Sequence, residues 1–178
     1  MISRIALLVL PCIVVGGMLF AQEKPLFESL SPSKTGITFK NMLKETPTSN
    51  VLTYEYFFNG GGSAVGDINN DGLDDIYFTA NMNSNKLYLN QGNFKFSDIT
   101  KTAGVACLDG WKTGVTMADV NGDGWLDIYV CYSGKGDPNK RRNKLFINNG
   151  NLTFTDKAKE FGLDDPGYAT HASFFDFD

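Results

Sequence analysis

Asp67-Ile68-Asn69-Asn70-Asp71-Gly72-Leu73-Asp74-Asp75 decides the reading of this chain, because Asp119-Val120-Asn121-Gly122-Asp123-Gly124-Trp125-Leu126-Asp127 writes it again. Asp176-Phe177-Asp178 then opens the pattern a third time. In both full copies oxygen-bearing side chains stand at positions 1, 3, 5 and 9, with glycine at position 6. A hard cation such as Ca²⁺ takes this kind of oxygen donor set. In a tight loop, alternate side chains turn inward, so positions 1, 3 and 5 can converge on one point. Gly72 and Gly124 permit the reversal that follows, since glycine takes φ > 0 without steric cost. The Leu73 and Trp125 carbonyls at position 7 would then face the ion, and Asp75 and Asp127 would close the cage. Positions 4, Asn70 and Gly122, are expected to point away and to tolerate alanine.

Electrostatics supports a cation. Residues 66–78 hold four Asp and residues 118–130 hold three, with no Lys or Arg in either stretch. These seven acids sit in a chain of net charge −4, which leaves the remainder net +3. Two carboxylates about 4 Å apart at an effective dielectric near 20 repel by roughly 4 kcal/mol. Clustering them is unfavourable unless something positive lies between. The competing explanation is ordinary Asx-rich turns, since Asn, Asp and Gly are common turn residues. One copy would suit that explanation; two with matching chemistry favour metal. On this reading the metal residues are Asp67, Asn69, Asp71, Leu73 and Asp75, then Asp119, Asn121, Asp123, Trp125 and Asp127, with Asp176 and Asp178 beginning a third set.

An EF-hand would need Glu at position 12 and helices on both sides. Position 12 is Phe78 in one copy and Val130 in the other, and Ile76-Tyr77-Phe78-Thr79 and Ile128-Tyr129-Val130-Cys131 read as strands. The repeat continues past the loops. Asn85-Lys86-Leu87-Tyr88-Leu89-Asn90-Gln91-Gly92 is echoed by Asn143-Lys144-Leu145-Phe146-Ile147-Asn148-Asn149-Gly150, each opening a hairpin that closes at Asp98 or Asp156. Ala103-Gly104-Val105 likewise answers Phe161-Gly162-Leu163. A period near 50 residues with about four short strands per unit predicts an all-β protein of propeller blades. A polar insertion over Gly134 to Arg142 lengthens the second unit.

These motifs resemble the FG-GAP/VCBS repeat of integrin-α-like propellers. Over residues 27–178 the chain is similar to secreted bacterial proteins related to cartilage acidic protein. The resemblance implies a β-propeller, commonly of seven blades, with Ca²⁺ held in blade loops. Closing even a small propeller takes about four blades. Two complete repeats and a third cut at its loop therefore read as an incomplete, N-terminal portion. The chain divides into a signal peptide over 1–21, a lead-in with first-blade strands over 22–60, and repeats over 61–178.

The signal peptide rests on Arg4 followed by an apolar run from Ile5 to Phe20, broken by Pro11 and a Gly pair. It predicts export to the periplasm, cell surface or medium, with no transmembrane anchor in the mature chain. Cys12 raises lipidation as an alternative, although its flanks fit a lipid-attachment site poorly. The acidic balance, pI ≈ 5.0, argues against nucleic acid, which selects basic stripes. The basic run Lys135, Lys140, Arg141, Arg142 and Lys144 reads as a solvated loop, with an anionic glycan or lipid head group as the other possibility. Cys107 and Cys131 are either a disulfide or two thiols; only geometry decides.

No catalytic residues are assigned. The single His171 lacks a nucleophile partner, and there is no Cys/His/Glu cluster for zinc chemistry. Alternation in Thr53-Tyr54-Glu55-Tyr56-Phe57-Phe58 predicts a first-blade strand, with an aromatic sugar platform as its rival. The sequence thus points to a secreted calcium-binding module that binds a protein or glycan at the cell surface or acts as a scaffold there. The alternative is the propeller portion of an extracellular polysaccharide-active enzyme with its catalytic residues elsewhere.

Overall fold

The computed structural model describes residues 25–177. The expected signal peptide, Cys12 and Asp178 lie outside them. Two four-stranded antiparallel sheets follow one another, each a simple meander in chain order. The first contains β1 (Ser63–Gly66), β2 (Asp75–Phe78), β3 (Lys86–Asn90) and β4 (Phe96–Asp98). The second contains β5 (Trp111–Ala118), β6 (Asp127–Ser133), β7 (Lys144–Asn148) and β8 (Phe154–Asp156). Each Asp loop joins the first two strands of its sheet, and each expected hairpin forms the last two. The fold is all-β and built of propeller-type blades.

Alternation along β6 shows how the sheets stack, because successive side chains on a strand point to opposite faces. Ile128, Val130 and Tyr132 enter a core shared with Ala64, Tyr77 and Leu87 of the first blade. Tyr129 and Cys131 face the other way, into a second cluster with Leu145, Ile147 and Ala158. Leu163, Ala169 and Ala172 pack against that second cluster, so the chain beyond β8 covers the outer face of blade two. The lead-in does the same for blade one: Phe39 stacks on Phe78 with ring centroids 4.8 Å apart, and the Thr38 amide donates to the Tyr88 hydroxyl at 3.2 Å.

The blades approach most closely at their first strands. A Cβ on Gly62 would come within 3.0 Å of the Gly114 Cα and the Thr113 carbonyl oxygen. Only a residue without a side chain lets the two backbones sit this near. Between the blades, buried Asn148 reaches from β7 across to the first Asp loop. Its Nδ2 donates to the Ile68 carbonyl at 2.8 Å and to the Leu126 carbonyl at 3.1 Å. Asn90, its counterpart in blade one, donates within its own blade to the Asp74 carbonyl at 2.8 Å.

One expectation changes here, and one open alternative is decided. Thr53 to Phe58 form successive turns rather than a strand. Asn50 is the cause: its Oδ1 accepts from the Leu52 and Thr53 amides at 2.9 and 3.1 Å, a local arrangement that competes with sheet pairing. Tyr54 and Phe57 are consequently the buried pair, three residues apart, while Tyr56 and Phe58 are exposed. Cys107 and Cys131 are both free thiols. Cys107 packs against the inter-blade core and Cys131 belongs to the outer cluster, so the body of β6 separates them.

The Asn148 bridge gives a direct test. Asn148→Ala should lose about 1 kcal/mol more stability in urea unfolding than Asn90→Ala, the usual worth of one additional buried hydrogen bond. Equal losses would show that the bridge to Ile68 contributes nothing to blade stacking.

Candidate metal-binding loops

Both Asp loops have nearly the same wiring. Asp67 accepts from the amides of Asn69, Asp71 and Gly72, the last at 2.7 Å. Asp119 accepts from Gly122, Asp123 and Gly124, at 2.8 Å for both glycines. The position-3 amides Asn69 and Asn121 donate Nδ2 to Asp71 and Asp123 at 2.9 and 2.8 Å. Gly72 and Gly124 take φ of 82° and 87°, as the reversal requires. Position 1 thus organises the backbone while positions 3 and 5 hold each other at the rim.

Position 9 behaves differently. Asp75 is buried, and one of its oxygens accepts from the Ile68 amide at 3.0 Å while the other accepts from the Asn90 amide at 2.7 Å. Asp127 repeats this with Val120 at 3.0 Å and Asn148 at 2.8 Å. Each carboxylate therefore ties the start of its loop to the third strand of its blade. These contacts are absent from a reading based on loop spacing alone, because the strand amide comes from 15 or 21 residues downstream.

The charges respond in opposite directions. Burial pushes the Asp75 and Asp127 carboxyls up; their backbone donors oppose this, while the neighbouring loop carboxylates add to it. For Asp67, slight burial acts upward but is outweighed by donors from Gly72, Asp71, Asn69 and Asn70, so its carboxyl titrates low. Asp119 is also held low, chiefly by the Gly124 amide.

Among the described residues, no three Asp, Glu, His or Cys side chains converge closely enough to form a preassembled metal cage. The donor chemistry nevertheless fits a hard cation. Every side-chain donor is oxygen, the position-5 carboxylates are exposed, and a carboxylate oxygen bonded to one amide keeps a second lone pair. Among the described residues no backbone amide donates to the Leu73 or Trp125 carbonyl outside regular strands. Asp176 is exposed, and Asp178 lies outside the described residues.

Position 4 departs from expectation. Asn70 and Gly122 have φ of 58° and 74°, a region that disfavours alanine. Asn70 also donates Nδ2 to the Gly124 carbonyl at 3.1 Å, linking one loop to the next. Alanine there would strain the backbone and, in the first loop, remove a bond between blades.

A further pair of equivalent networks lies outside the loops. Asn85 donates to the Tyr77 hydroxyl at 2.9 Å, and Tyr77 donates to the Val105 carbonyl at 2.6 Å. Asn143, Tyr129 and the Leu163 carbonyl repeat the chain at 2.9 and 2.9 Å. The repeated Asn-Lys-Leu and Gly-aliphatic motifs carried this signal, but only as similarity, with no indication that a tyrosine joined them. Two residues of the basic run are paired, Lys144 with Asp156 at 2.8 Å and Arg142 with Asp164 at 2.8 Å. His171 is exposed and lies against Gly114.

Residues 56–130 match the FG-GAP-like repeat family. Cartilage acidic protein 1 of Xenopus tropicalis is 34% identical over 123 residues, covering 67% of this chain and 18% of that protein. Cartilage acidic protein 1 of Mus musculus is 32% identical over 120 residues, with coverages of 67% and 18%. Integrin alpha-8 of Gallus gallus is 34% identical over 101 residues, covering 49% of this chain and 10% of that protein. The chain thus spans a small part of the length of these curated relatives. Among the described residues, no helix is long and apolar enough to cross a membrane. With two Asp-loop blades and these matches, residues 56–130 are FG-GAP-like repeat sequence.

Proposed function

We propose that this chain is a calcium-stabilised binding or scaffold module, exported by residues 1–21, whose lead-in over 22–60 and repeats over 61–178 present surfaces to an extracellular partner. The observation carrying the cation reading is the matched wiring of the two loops: Asp67 and Asp119 each gather backbone amides, and Asn69 with Asp71 and Asn121 with Asp123 lie in hydrogen-bond contact at the exposed rim. Asp67, Asn69, Asp71, Asp75 and the Leu73 carbonyl would hold one ion. Asp119, Asn121, Asp123, Asp127 and the Trp125 carbonyl would hold a second, and Asp176 and Asp178 would open a third set. Calcium, when bound, supplies positive charge that offsets carboxylate repulsion and fixes the turn. The residues themselves shape the site: position 1 gathers amides, positions 3 and 5 brace the rim, and position 9 locks the loop to the sheet. The role is binding rather than catalysis; the integrin and cartilage acidic protein likenesses support it.

Calorimetric titration of the chelator-stripped chain should find about two Ca²⁺ sites and a raised melting temperature, since a ligand that binds only the folded state stabilises it. Asp67→Ala/Asp119→Ala should abolish both effects. Asp74→Ala removes one negative charge from the first loop, as Asp67→Ala does, but from a position outside the donor set, and should leave both sites intact. If it matches the double variant, the ligand assignment is wrong.

The two carboxylate roles separate in a second experiment. Asp127→Ala should cost roughly 2–4 kcal/mol in chelator as well as in calcium, because two buried amides lose their acceptor. Asp123→Ala should cost stability only when calcium is present. Urea unfolding under both conditions reads this difference, and a purely calcium-dependent loss at Asp127 would refute its clamping role.

A further inference from the structure

The strands that end at the Asp loops begin at a second site. Ala118 pairs with Asp127 at one end of β5 and β6, and Trp111 pairs with Ser133 at the other. Eight residues of strand separate these ends, roughly 25 Å at the usual rise. At the Trp111 end, the turns over residues 48–56, the inserted segment after β6 and the residues around Tyr168 border two adjoining cavities. Their volumes are ≈ 540 and ≈ 290 Å³. The larger falls within the usual range for small-ligand sites.

We propose that this groove binds an acidic oligosaccharide, one bearing carboxylate or sulfate groups on a sugar backbone. Lys135 borders both cavities, and Lys140 and Arg141 border the smaller. Glu55 is the one acidic side chain in the two walls, giving a net +2 lining in a chain of net −4. Arg141 is held in place without a carboxylate: it donates to the Gly136 and Pro166 carbonyls at 2.8 and 3.2 Å. Its guanidinium lies 4.4 Å from the centre of the exposed Tyr168 ring.

The aromatic floor is equally fixed. Tyr54 bonds through its hydroxyl to Ser133 Oγ at 3.0 Å and packs edge-on against Trp111 and Tyr56, with ring centroids 5.4 and 5.8 Å apart. Exposed Tyr56 and Tyr168 present faces for sugar C–H groups, exposed Thr170 presents a hydroxyl, and the cations meet acidic substituents. An acidic peptide would satisfy the cations but has less use for aromatic faces, which favours the saccharide. The aromatic run and the basic run, far apart in sequence, meet here. This proposal rests on the binding-module reading but uses none of the Asp-loop ligands.

The test is calorimetric titration of the full chain with a galacturonate hexasaccharide and, separately, a chondroitin sulfate hexasaccharide. Neutral maltohexaose and hexaglutamate serve as comparators. At least one acidic saccharide should bind at least tenfold tighter than either comparator, and the better one distinguishes carboxylate from sulfate recognition. Lys135→Glu/Lys140→Glu changes two exposed side chains and should weaken that binding at least tenfold. Tyr168→Ala should also weaken it, whereas Glu55→Gln should strengthen it.

A folded chain that binds neither acidic saccharide overturns the proposal. So does saccharide binding indifferent to the lysine and tyrosine changes, or hexaglutamate binding as tightly as the sugars. Calcium stoichiometry measured on the same samples separates the two sites. Calcium binding without saccharide binding removes this proposal alone; saccharide binding without calcium binding removes the loop-cation reading alone.

Discussion

The buried carboxylate at the ninth position of each Asp loop is the constraint on which the blades depend. Asp75 and Asp127 each satisfy an amide at the loop entrance and an amide on the third strand. Without such an acceptor, the loop and the hairpin would meet across unpaired polar groups, an expensive arrangement away from water. The carboxylate therefore sets the distance between the loop and the sheet. It also adds a third carboxylate to those of the first and fifth positions, the donor set on which the proposed cation site rests. Under the proposed function, folding and cation affinity would be coupled through the same side chain.

A second layer of order comes from bonds between blades. Asn148 reaches the Ile68 carbonyl and Asn70 reaches the Gly124 carbonyl, so a change in one loop is felt by its neighbour. The apolar core is likewise shared, with Tyr77 and Leu87 from one sheet packed among Ile128, Val130 and Tyr132 of the next. Stability in such arrays comes largely from nearest-neighbour interfaces. The blades should accordingly behave as a coupled pair rather than two independent sheets.

Much of this was legible in the residue pattern. Glycine positions, hairpins and the four-strand unit follow from local spacing, and the structure places them where the spacing requires. Failures occurred where a distant or competing contact decides. Thr53 to Phe58 alternate like a strand, yet the Asn50 side chain turns them back on themselves. Position 4 looked unconstrained until its left-handed backbone and the Asn70 bond were seen. The dual role of position 9 was hidden because its second partner lies on another strand. Tyr54 and Arg141 fall on one groove only through folding, since nothing in their separate neighbourhoods joins them.

Asn148 has an evolutionary implication. The carboxamide that fastens a blade to the preceding loop is encoded within the blade itself, at the last position of its third strand. Asn90 occupies that place in the first blade, where its bond stays internal. A duplicated gene segment of this length would therefore arrive with both its socket, the loop carbonyl, and its plug, the carboxamide. Lengthening an array of this kind requires no new joint to be invented, and the number of units can change while the joining chemistry stays constant.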